Sequence, residues 1–164
     1  MPHRKSDPKQ QFEAVDDLLT RWLKERRQVL GRYTEIAVAL DSNPKSRALA
    51  QQQIRLCEIL VDYVSAGHFE VFNQLLNEAE TFADGSEALA EQLIPAIGDT
   101  TEVILAYEEK YAGGQLHPDT LKRDLSALGE VLESRFVLED RLMAGLHSRH
   151  RRQAVSPAPQ QTTV

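Results

Sequence analysis

Apolar residues recur every three or four positions along most of this chain, the period of an α-helix with one buried face. No stretch shows the sustained alternation or β-branched runs of a strand. The first stripe, Phe12, Val15, Leu19, Trp22, Val29, Tyr33, Ile36 and Leu40, predicts a helix from about Gln11 to Leu40, with Gly31 as its weak point and DSNPKS as its end. Pro44, after Asn43, suits the first turn of a second helix. Its stripe is Ile54, Cys57, Leu60, Val61, Val64, His68, Phe72 and Leu75, with Gly67 a place to bend or divide. ADGSE closes that helix, and Ser86 reads as the N-cap of a third, which carries Leu89, Leu93, Ile97, Ile104, Leu105 and Tyr111 and is kinked or split at Pro95. AGGQLHPD is the strongest turn signal. Beyond it a fourth helix runs to about His147 and buries Leu121, Leu125, Leu128, Leu132, Phe136, Leu142 and Leu146.

Four long amphipathic segments with short connections predict an all-α fold, a single-domain antiparallel four-helix bundle over residues 11–149. Residues 1–10 and 150–164 are expected to be flexible tails, since QAVSPAPQQTTV has little apolar content to anchor it. A length of 164 residues suits one core, and 41% hydrophobic with 27% charged residues is the composition of an ordinary soluble protein. No apolar run is long enough to span a bilayer, and MPHRKSDPKQQ has positive charge without an apolar stretch behind it, so the expected location is cytoplasmic. The lone Cys57 excludes an internal disulfide and a thiolate metal site, and reads as a small buried apolar residue. The 19 Lys and Arg against 25 Asp and Glu give a net charge of -6, which argues against direct nucleic-acid binding and for a partner with a basic surface.

Polar residues lying on the apolar stripes are more informative. Arg135 and Glu139 fall one turn apart on the inward face of the fourth helix, His68 on the stripe of the second, and Arg26 between Trp22 and Val29 on the first. Buried charge is costly unless paired, so these four side chains are expected to form an internal polar network. Three readings of it stand: a satisfied structural network, a metal site, or a general base (His68) oriented by Glu139. The metal reading lacks a Glu-x-x-His pair and brings two arginines close to the would-be cation. His147 and His150, three apart, sit in the basic run HSRHRR at a frayed helix end, where positive charge suits the helix dipole. No phosphate loop, nucleophile elbow or Cys/His arrangement is present. No metal, cofactor or catalytic activity is therefore expected. A small-molecule or metal-responsive sensor built on the network is the alternative to a protein-interaction module.

Three segments carry a family resemblance. LVDYVSAGHFEVF (60–72) resembles the central motif of the Rsd/AlgQ anti-sigma regulators, ESRFVLEDRL (133–142) their E-x-R-F-x-L-E-D-x-L segment, and DLLTRWLKERRQVL (17–30) their D-R-W-L-x-x-R pattern, with Thr20 where an acidic residue is usual. The resemblance covers about Asp16 to Leu146. It implies a protein that binds the primary sigma factor of RNA polymerase, chiefly the C-terminal domain that recognises the promoter −35 element, and sequesters it. An acidic helical protein is physically suited to cover a basic helix-turn-helix domain. Glu58, Asp62, Ser65 and Phe69, spaced four, three and four, form one helix face and are the expected sigma contacts, with Asp62 pairing an arginine and Phe69 as aromatic anchor. Trp22 is expected in the core. The outer faces are highly charged, which favours a monomer forming a one-to-one complex.

Overall fold

The computed structural model describes residues 7–42 and 47–155, with the side chain of Val155 left aside. Among them there is no strand. Six α-helices and two π-helical turns make four rods: α1 (Pro8–Ser42); α2 (Arg47–Ala66) continued through a π-turn (Gly67–Val71) into α3 (Phe72–Phe82); α4 (Glu87–Tyr111); and α5 (Leu121–Met143) continued through a second π-turn (Ala144–Ser148) into α6 (Arg149–Val155). The connection expected around Asn43 and Pro44 lies outside the described residues, as do most of the two expected tails.

Contacts between rods give their directions. Tyr33 reaches the Leu125 carbonyl, Arg26 reaches Glu139 and Asp16 reaches His147, so α1 and the α5–α6 rod run antiparallel. Arg135 reaches Thr101 and Lys110 reaches Asp124, so α4 is antiparallel to α5. Tyr107 donates to Gln53 near the start of the α2–α3 rod, whose other end joins the start of α4 by a short turn, so those two are antiparallel as well. The result is an antiparallel four-rod bundle closed around one core that includes Trp22, Leu60, Tyr63, Leu75, Ile97, Ile104, Leu128 and Leu132.

The helix boundaries follow local chemistry. Ala83 ends α3 in the left-handed conformation (φ 48°) and Gly85 follows at φ 85°, a geometry that glycine adopts without steric cost. Gly114 (φ 80°) serves the second turn, where a Cβ would approach Ile54 to 3.1 Å. Pro95 does not divide α4: it lies on an exposed face, where solvent can take the carbonyl its missing N–H leaves unpaired. Gly31 likewise leaves α1 unbroken. Ser86 makes no side-chain cap on α4; its Oγ lies 3.3 Å from His150 Nε2, and the turn is held instead by Ser86 N–H donating to Asp84 Oδ1 at 3.0 Å. Leu105, expected inside, is exposed, and Tyr107 takes the inward position.

The two π-turns shift the helical register. Gly67 itself occupies the inward position after Val64, against Trp22, Phe72 and the Arg135 guanidinium, whose atoms would lie 3.2 to 3.4 Å from an added Cβ. The next inward residues are Val71 and Phe72, and His68 is turned to solvent. The second π-turn lets both Leu146 and His147 point inward and carries the helix past residue 149, the expected end of the bundle, to Val155.

Candidate functional site

Two polar constellations and one exposed face stand out. In the middle of the bundle Arg135 and Glu139 are both fully buried, and Arg135 Nε donates to Glu139 Oε2 at 2.8 Å. Arg135 Nη1 also donates to Thr101 Oγ1 at 2.6 Å and Thr100 Oγ1 at 3.2 Å, tying α5 to α4. The Tyr63 hydroxyl donates to Glu139 Oε1 from α2, and Arg26 reaches Glu139 at 3.5 Å and Asp140 at 2.8 Å from α1. All four rods therefore meet at this pair. Burial pushes the Glu139 carboxyl up, against the opposing pull of Arg135, Tyr63 and Arg26, and burial pushes the Tyr63 phenol up as well. Trp22 stacks on Tyr63 at 5.2 Å and donates its indole N–H to the Tyr63 carbonyl, fixing the ring that carries the hydroxyl.

His68 is not in this network. Exposed on the π-turn, it makes an edge contact with the Phe69 ring at 4.8 Å. Among the described residues the buried histidines are His147 and His150, which the spacing alone sets at a frayed end. His147 Nδ1 lies 2.9 Å from Glu78 Oε2 and its Nε2 lies 2.9 Å from Asp16 Oδ1. His150 Nδ1 lies 2.7 Å from Glu78 Oε1. Glu78 was missed because it is a charged residue beside Leu75 and Ala79, where an outward position is the usual reading. The available signal was His150 falling on the continuation of the Leu142, Leu146 spacing. Among the described residues no group of three or more His, Cys, Asp and Glu is placed to hold a metal ion. Cys57 is buried, and burial pushes its thiol up to about 12, so it is a poor nucleophile at neutral pH.

The exposed face lies on α2 and the first π-turn. Glu58 and Asp62 are exposed, Ser65 is half-buried, and Phe69 is 70% exposed, the most exposed of the large apolar side chains among the described residues. Glu25 on α1 approaches the same region. Burial together with the charges of Asp62 and Glu70 raises its pKa, only partly offset by Arg21, and its buried Oε2 has no hydrogen-bond partner. An open groove of about 420 Å³, lined by Ile54, Val61, Asp62 and Glu108 among others, runs beside the face between α2 and α4. An uncovered aromatic ring thus stands among carboxylates that repel one another, with Arg21 only partly offsetting their charge.

The fold and its surface are those of an all-α bundle with a charged core pair and an acidic, aromatic-bearing face. A family model described as regulator of RNA polymerase sigma(70) subunit, Rsd/AlgQ, matches residues 1–147, and the chain belongs to that family. It is 30% identical over 138 residues to the regulator of sigma D of Yersinia pseudotuberculosis (serotype O:1b, strain IP 31758), covering 82% of each chain. To the regulator of sigma D of Pectobacterium atrosepticum it is 32% identical over 131 residues, covering 77% of this chain and 85% of the relative. No solved structure gives a significant match.

Proposed function

We propose that this protein is an anti-sigma factor that binds the primary sigma factor of RNA polymerase through the face formed by Glu58, Asp62, Ser65 and Phe69, and acts by sequestration rather than by catalysis. The observation that carries this reading is the exposure of Phe69 within an acidic surround, on the segment that resembles the family's central motif. A large apolar ring left in water costs free energy that a partner recovers by covering it, and aromatic residues at the centre of a charged rim are the usual energetic anchors of an interface. The mutually repelling carboxylates of Asp62, Glu70 and Glu25 favour a basic partner, whose charge would relieve that repulsion.

The expected target is the C-terminal domain of sigma, whose helix-turn-helix surface must be basic to grip DNA. Covering that surface excludes promoter contact by bulk alone, with a one-to-one complex in the cytoplasm as the working stoichiometry. The test is competition: core polymerase and this protein are mixed with limiting sigma and separated by size. Sigma moving from core into a complex with this protein supports sequestration, and sigma remaining on core at every ratio argues against it.

A further inference from the structure

The cluster around His147 has no part in the proposed sigma face, and its wiring is specific. Both ring nitrogens of His147 face carboxylate oxygens, Glu78 on α3 and Asp16 on α1, each at 2.9 Å. An imidazole can donate from both nitrogens only when it carries two protons. The ring lies flat on Phe12 at 4.1 Å, so it cannot turn away without losing that stack. Glu78 is fully buried, and its two carboxyl oxygens lie against His147 Nδ1 and, at 2.7 Å, His150 Nδ1.

The same short segment brings further pairs. Arg151 reaches Asp16 at 3.4 Å and lies over the Phe12 ring, Arg149 reaches Asp84 at 3.4 Å, and His150 stacks on Phe82 with its Nε2 3.0 Å from Asp84 Oδ2 and 3.3 Å from Ser86 Oγ. The Asp84 contact is close but lacks hydrogen-bond alignment, since Asp84 Oδ2 has no aligned donor. Asp140 on α5 lines the same groove as Asp16 and His147, adding a further negative charge on that side.

We propose that His147 is a proton-operated latch: doubly protonated, it pins the C-terminal arm Ala144–Val155 to α1 and α3, and loss of its proton releases the arm while the rest of the bundle stays folded. Burial alone would disfavour the imidazolium, but the hydrogen bonds and charges of Glu78 and Asp16 outweigh burial and hold it above the ordinary imidazole range. The sign follows from linkage. The docked arm binds the proton more tightly than the free arm, so docking is fully supported below the ordinary imidazole pKa and weakens as pH rises through the raised one.

Trypsin reads the latch directly, because Arg149, Arg151 and Arg152 all lie in α6. The full chain is digested across a pH series, and cleavage at these arginines is divided by cleavage of an unstructured peptide of the same sequence, which removes the pH dependence of the protease. The ratio should be flat below about pH 6.5, climb by up to about tenfold per pH unit, and level off once the docked ring has lost its proton. Helical circular dichroism should fall only by the share of the arm. His147→Gln should be cleaved quickly at every pH. Should that variant fail to fold, Asp16→Asn decides: it removes one of the two anions, so the climb should end at a lower pH and span a smaller rise. If Asp16 acted only by holding Arg151, the variant would be cleaved faster at all pH values with the climb unmoved. That result, or a flat ratio in the parent protein, overturns the proposal.

Discussion

Arg135 and Glu139 lie one turn apart on α5 with no solvent exposure, joined by a 2.8 Å hydrogen bond at the point where all four rods meet. Removing Glu139 leaves the Arg135 guanidinium in the core without its carboxylate partner. Glu139→Ala should therefore cost about 3 kcal/mol or more in urea unfolding, whereas replacing both by apolar residues of similar volume should cost markedly less. A loss below about 0.5 kcal/mol for Glu139→Ala would contradict the geometry.

The difference between this pair and His68 shows what periodicity can and cannot reveal. Arg135 and Glu139 sit on an uninterrupted helix, where spacing alone places them inward with Leu128, Leu132 and Leu142. His68 follows Gly67, where the helix widens by a residue, and a count of three and four carried through that turn gives the wrong face. Gly67 was a visible candidate for a bend. That a π-turn opens there, with Gly67 packed closely under Trp22 and Arg135 from distant parts of the chain and under nearby Phe72, is a tertiary fact. His147 was obscured for the same reason, His150 because the basic run around it reads as a frayed helix end, and both because their partners Asp16 and Glu78 lie on other rods. The acidic face was legible because Glu58, Asp62 and Ser65 stand on the regular part of α2; the convergence of Glu25 and Glu70 on it is tertiary and was not.

Asp124 gives an acid-side prediction. Burial alone would raise its pKa, but hydrogen bonds from Lys110, Tyr111 and Arg123 hold the carboxyl at about 2. A depressed carboxylate contributes stability above its unfolded pKa of about 3.9 and loses it as pH falls toward the folded value. Asp124→Asn should be less stable at neutral pH by about 1 kcal/mol, and its stability should fall less steeply than the parent's between about pH 4 and about pH 2, read by thermal melts across that range.

The exposed face should separate binding from folding. Phe69→Ala removes a ring that is 70% exposed, so the melting temperature should not move. Its affinity for sigma should nevertheless fall by about 2 kcal/mol, roughly thirtyfold in Kd. Asp62→Arg, reversing charge beside Glu25 and Glu58, should abolish binding with the fold intact. Parent-like affinity in both variants, with folding verified by circular dichroism, would place the contact elsewhere.

The most direct measurement is a calorimetric titration of this protein into the purified C-terminal domain of a primary sigma factor at moderate salt. The account predicts a one-to-one complex of micromolar affinity or tighter that weakens as salt is raised, because the face is acidic and its partner basic. No heat and no co-elution with both partners folded would contradict it.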